Sequence, residues 1–94
     1  GGTVAGHVTA EDEDWYSVNS GSGSAKQLKV SLRSLHDGCV AYDLFGVDNQ
    51  KIAYAQSCRH SMETQTYQVP QGISKIRVHS IHWSGNYELS AAAQ

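Results

Sequence analysis

The sequence predicts an all-β fold, a jelly-roll-type β-sandwich of about eight antiparallel strands, and three observations predict it. No segment of useful length repeats apolar residues at the helical period. Apolar residues alternate instead in short runs such as Leu28, Val30, Leu32 and Val40, Tyr42, Leu44. Gly, Ser, Asn and Asp clusters separate those runs at regular intervals.

The elements follow in order. Thr3–Val8 is the first strand. Glu11-Asp12-Glu13-Asp14 is a short acidic turn, followed at once by the second strand, Trp15–Asn19. Asn19-Ser20-Gly21-Ser22-Gly23-Ser24 is a flexible loop within the domain, because strand signals resume directly after it. Gln27–Leu32 is the third strand and Val40–Phe45 the fourth. Lys51–Ser57 and Thr64–Val69 come next, and Pro70-Gln71-Gly72 has the order of a type II turn. Ser74–His79, a tight Ser84-Gly85-Asn86 connection and the strand Asn86–Ala91 complete the chain. Alternation along these runs puts one face of each strand on a core and the other in water. An immunoglobulin-type sandwich is the alternative, but its Cys…Trp…Cys spacing is absent.

Two cysteines, Cys39 and Cys58, have a midpoint between Asp48 and Asn49. Both residues tolerate the positive φ that a hairpin turn requires. A reversal there sets the cysteines directly opposite each other, where a disulfide is geometrically allowed. The alternative is a pair of buried free thiols. Closing such a loop stabilises a thin-cored fold by about 3 kcal/mol and implies an oxidising compartment.

Composition bounds the rest. Ninety-four residues make one domain, 1–94, and 39% hydrophobic residues suit a globule. No apolar run is long enough for a spanning helix, so no membrane partner is expected. The net charge is −2 with seven scattered Lys and Arg, which argues against a nucleic-acid partner. No nucleophile elbow, P-loop, HExxH or catalytic-cysteine context is present, so the chain is not expected to be an enzyme.

Four stretches carry a family likeness. They are Gly6-His7-Val8 leading to Asp12-Glu13-Asp14-Trp15-Tyr16-Ser17-Val18; Val40-Ala41-Tyr42-Asp43-Leu44-Phe45-Gly46 with its return Ile52-Ala53-Tyr54-Ala55; Val69-Pro70-Gln71-Gly72 with Ile76-Arg77-Val78; and Ser84-Gly85-Asn86-Tyr87-Glu88-Leu89. In this order they resemble the bacterial pre-peptidase C-terminal domain, a family that includes the collagen-binding domains of bacterial collagenases. The resemblance implies a secreted, extracellular, non-catalytic binding module, covalently attached to the catalytic domain of a protease or other exoenzyme. Its partner would be collagen or another insoluble extracellular polymer. A polysaccharide ligand, or a structural or secretion-processing role without a polymer ligand, are the alternatives the family allows.

Candidate site residues follow from this reading. Collagen-binding relatives use aromatic residues on the strand return and the penultimate strand. Tyr54 falls at the first position, where its alternative is a core tyrosine beside Ile52. At the second, His79 and Ile81 stand where tyrosines are expected, with His82 and Trp83 close by. Arg77 and His79 point outward if Ile76 and Val78 point inward. Trp83 sits in a loop, either as a ligand platform or folded over the end of the sandwich. Trp15 and Tyr16 begin a strand and face opposite ways, with packing in the core or cover at an edge expected for both. Some relatives carry calcium at the N-terminal edge, and Glu11, Asp12 and Asp14 are the candidate ligands. The alternative is that Asp12 and Asp14 cap a turn, and Gly1–Ala5 add no carboxylate. His79 and His82 also form a conceivable zinc pair, although strand and loop spacing does not fix both rings on one metal.

Overall fold

The computed structural model describes residues 3–19 and 26–93, with Lys26 and His82 described by their backbone alone. The Gly/Ser loop at 20–25 and Gly1-Gly2 lie outside the described residues. Eight strands and no helix are present among those described: β1 Thr3–Val8, β2 Glu13–Asn19, β3 Lys26–Ser34, β4 Cys39–Phe45, β5 Lys51–Cys58, β6 Met62–Val69, β7 Ile73–His82 and β8 Gly85–Ala93. Every predicted strand is found, most of them extended by one to three residues. The extensions come from cross-strand pairing. Glu13, for example, pairs with His79 and so joins β2 instead of remaining in the acidic turn.

Two four-stranded sheets form the sandwich, in the orders β1-β8-β3-β6 and β2-β7-β4-β5. All pairings are antiparallel. The alternating residues of β3 (Leu28, Val30, Leu32) and β4 (Val40, Tyr42, Leu44) are fully buried in one cluster with Ile76, Val78 and Leu89. Each such side chain contributes about 1.5–3 kcal/mol relative to an exposed one, which makes this layer the main source of stability.

Tyrosines tie the sheets together across that layer. Tyr42 of the second sheet hydrogen-bonds Tyr67 of the first, hydroxyl to hydroxyl, at 2.6 Å. Tyr87 of the first sheet donates to Asp14 Oδ2 of the second at 2.6 Å, and its hydroxyl also meets that of Tyr16. Burial, reinforced by these bonds, pushes the phenols of Tyr42 and Tyr87 well above the ordinary tyrosine range. Gly6 of β1 lies against the Tyr87 ring, where a methyl group would overlap it.

The β4–β5 hairpin has the predicted register. Cys39 pairs with Cys58 and the two are joined in a disulfide, with a Cα–Cα separation of 4.1 Å. The turn itself differs from a two-residue loop. Gly46 N bonds Gln50 O, Asn49 N bonds Gly46 O, and Asn49 takes φ 62°. This is a three-residue connection ending in a left-handed residue. A one-residue irregularity between Leu44 and Phe45 then restores the alignment of the strands.

Candidate functional site

The second sheet exposes a face of unusual composition. β4 is an inner strand flanked by β7 and β5, so its outward residues are covered from both sides. Because Val40, Tyr42 and Leu44 point into the core, Ala41, Asp43 and Phe45 point out. A carboxylate in that position needs partners, and neighbouring strands supply them. Arg77 Nε and Nη2 donate to Asp43 Oδ2 at 3.0 and 2.6 Å. Lys51 Nζ lies 2.8 Å from Oδ1. His79 Nε2 stands 3.2 Å from Oδ2 but off the hydrogen-bonding direction, and makes no hydrogen bond.

Asp43 is therefore a buried anion shared among cations, with its side chain 2% exposed. Burial acts to raise its pKa. The hydrogen bonds from Lys51 and Arg77, helped by their charges, outweigh that and hold the carboxyl below the usual carboxylate range. The bond to Asp43 in turn raises the Arg77 guanidinium above its ordinary range against the opposing effect of burial.

Aromatic rings surround this charge cluster. Trp15 stacks on Phe45 with centroids 5.5 Å apart, and the Arg77 guanidinium carbon sits 5.7 Å from the Trp15 ring and 5.5 Å from that of Phe45. Glu13 Oε1 accepts from the Trp15 indole at 3.1 Å, which fixes the ring. On the other side, Lys51 Nζ lies 5.2 Å from the Tyr54 ring, and Tyr54 sits beside His79. Cross-strand register places Trp15, Arg77, Asp43 and Tyr54 in one row over all four strands. Trp15 is 50% exposed and Tyr54 47%, so both ends of the row open to solvent.

The structure thus brings together Tyr54, Arg77 and His79 from the sequence reading and puts Tyr54 on the solvent face. Trp83 is separate. It occupies the β7–β8 turn with φ 63°, beyond the pairing of His82 with Cys39, and is 69% exposed. The side chain of His82 lies outside the described residues. Of the two expectations for Trp15, the core one is ruled out: Tyr16 turns inward, and the indole stands half exposed on the outer face of the edge strand β2, stacked on Phe45. Sequence reasoning also missed Asp43, Phe45 and Lys51. The same alternation that assigned Val40, Tyr42 and Leu44 to the core was the available signal for the first two.

The acidic turn does not form a calcium set. Asp14 turns inward to accept from Tyr87, while Asp12 Oδ1 accepts from the Glu13 amide at 2.9 Å, and Glu11 is exposed on the turn. Among the described residues no group of three His, Cys, Asp or Glu side chains is placed to hold a metal ion. Glu11, Asp12 and Asp14 therefore do not fit calcium, because one of the three carboxylates is committed to the interior.

Comparison with known proteins gives the architecture a class. No protein-family model and no curated protein sequence matches the chain. Solved structures do match. The pre-peptidase C-terminal domain of a collagenase from Bacillus anthracis superposes with a TM-score of 0.78 at 22% identity, covering 97% of this chain and 88% of that one. PliG, a periplasmic inhibitor of g-type lysozyme from Aeromonas hydrophila, gives 0.76 at 13% identity over 99% and 85%. A carbohydrate-binding module, CBM36, solved with calcium and xylotriose, gives 0.55 at 19% identity over 98% and 91%. At these identities the likeness is one of fold.

Proposed function

We propose that the chain is a non-catalytic module of an extracellular protein that binds an insoluble polymer on the outer face of its second sheet. One observation carries this reading: Trp15 and Tyr54 stand half exposed at the two ends of a rigid cross-strand row whose centre is the Asp43 charge cluster. Large aromatic rings held open on a flat sheet face, rather than folded into the core, mark an interaction surface. The disulfide supports an oxidising, extracellular location. The fold likeness to a collagenase domain and to a carbohydrate-binding module supports a role appended to an exoenzyme, with collagen and polysaccharides as the polymers to test.

Retention on insoluble collagen, chitin and cellulose tests the reading directly. Binding to at least one is expected, with Trp15→Ala and Tyr54→Ala each lowering retention while leaving the melting temperature nearly unchanged. No retention on any solid, at low or moderate salt, would favour a structural or secretion role. In that case deleting the domain should reduce the yield of its parent protein without changing action on insoluble substrate.

A further inference from the structure

The outer face of the second sheet is divided along its strands. The row of Trp15, Arg77, Asp43 and Tyr54 crosses its middle. On one side of that row Glu13 pairs with His79, and Glu11 and Asp12 continue an acidic rim in the β1–β2 turn. These three carboxylates line a groove with Arg77 and His79. On the other side Ser17 pairs with Lys75, and both border a second groove beside Trp15.

Charges that are already neutralised do not choose a partner. Asp43 engages Arg77 at 2.6 Å and Lys51 at 2.8 Å. Asp48 stays in the β4–β5 turn, where it accepts from the Gln50 amide. Glu13 lies 3.8 Å from Arg77 Nε, but that guanidinium is committed to Asp43. What remains is polarised. Glu11, Asp12 and Glu13 are exposed at one end, and Lys75 is exposed at the other, donating to the neutral side chain of Asn49 at 3.4 Å.

A ligand of one sign suits one end of this face and opposes the other. A second copy of the chain, turned end for end, suits both. A two-fold axis along the central row, in the plane between two such faces, keeps β2 over β2 and reverses the strand direction. Glu13 of each copy then lies over Ser17 and beside Lys75 of the other, and the acidic rim of one closes on the basic groove of the other. Trp15 and Tyr54, half exposed in the single chain, meet their own copies at the axis. Arg77 also meets its copy. Each guanidinium is already paired with its own Asp43 and flanked by the Trp15 and Phe45 rings, which limits the cost of that approach. An axis along the strands would instead set Glu13 over the neutral Gln56 of β5.

We infer that this face pairs with the same face of a second copy in an isologous two-fold dimer, with Glu13 against Lys75 at two symmetric places and Trp15 and Tyr54 on the axis. Four strands about 4.8 Å apart and roughly five alternate rows of side chains span on the order of 500 Å² per copy. A total near 1,000 Å², by that rough measure, is below the standard interface, so the dimer is weak and reversible. It covers the proposed polymer site, and the two occupants exclude each other, but it does not rest on the polymer reading.

Sedimentation equilibrium of the intact chain up to about 1 mM, at low salt, should show a monomer–dimer equilibrium with Kd on the order of 0.1 mM. Lys75→Glu and Glu13→Lys should each raise Kd about tenfold or more. An equimolar mixture of the two variants should dimerise as wild type does, because both cross-contacts again join opposite charges. Ser17→Lys, placed opposite Glu13, should tighten the dimer about threefold, a gain that misfolding does not imitate. A chain that stays monomeric overturns the inference, as does a dimer indifferent to both charge reversals or a mixture that fails to regain dimerisation. Dimerisation without retention on collagen, chitin or cellulose supports the inference while the polymer reading fails. Retention by a chain that stays monomeric does the reverse.

Discussion

Arg77 and Asp43 face each other across β7 and β4, and two guanidinium nitrogens converge on a single carboxylate oxygen, Oδ2. The two residues differ in burial, Asp43 being almost wholly enclosed and Arg77 one-third exposed. Removing the arginine strands a buried anion with one ammonium partner. Removing the aspartate leaves cations that can turn to water. Arg77→Ala should therefore cost about 2–4 kcal/mol and Asp43→Ala less. In the double variant part of the arginine loss should return, and urea unfolding of the four proteins measures that coupling.

The same carboxyl governs acid stability. Its folded-state pKa lies below its unfolded value, so its contribution is complete above the unfolded value, about 3.9, and is lost as pH falls through the lower folded one. Wild type should exceed Asp43→Asn in stability at neutral pH, and the gap should close below about pH 4. Thermal melts of both proteins across that range would show it. A gap that stays constant would mean the carboxylate charge contributes nothing.

At the alkaline end the tyrosines take over. Tyr42 and Tyr87 have folded-state pKa values above the unfolded value of about 10, so their contribution is complete below that pH and lost as pH rises toward the folded values. Their ionisation should coincide with unfolding when phenolate absorbance and circular dichroism are followed together. Tyr87→Phe, which leaves Asp14 without its donor, should lower stability by about 1–3 kcal/mol at neutral pH.

Close packing at Gly6 gives a steric prediction. Gly6→Ala places a methyl group in the Tyr87 ring, whose hydroxyl is held by Asp14 and Tyr16, so relieving the overlap strains those bonds. Overpacking of this kind costs about 1–3 kcal/mol, readable as a lower urea midpoint with an unchanged slope.

Reduction of the Cys39–Cys58 bond should remove about 3 kcal/mol, a drop in melting temperature on the order of 10–20 °C. A Cys39→Ser, Cys58→Ser variant should melt with the reduced protein and be insensitive to reductant.

Much of the architecture was legible in the chain. The alternation of Leu28, Val30 and Leu32 against Val40, Tyr42 and Leu44 identified the core layer, and the midpoint of the cysteines set the hairpin register. The order of strands within each sheet was not, since nothing local in β1 or β8 records that Thr3 pairs with Ser90. Apolar alternation in β7 stops at Val78 and so predicts an end at His79, whereas pairing to β4 carries the strand on to His82. At the site, Arg77 and His79 followed from strand parity, whereas Tyr54 came from the family resemblance alone, with a core position left open for it. Asp43 escaped notice because a charged residue within an apolar run has meaning only once its neighbours on β7 and β5 are known.

The disulfide has a mechanical consequence. Tyr54 and Lys51 sit on β5, an edge strand bonded within its sheet to β4 alone. Under the proposed function, the domain would be pulled through its contact residues, and an edge strand is the first to peel. The covalent link at Cys58 closes one end of β5, and the hairpin turn at Asn49 closes the other. Tension applied at Tyr54 therefore passes into the inner strand β4, and the strand cannot be stripped from the sheet like a zipper.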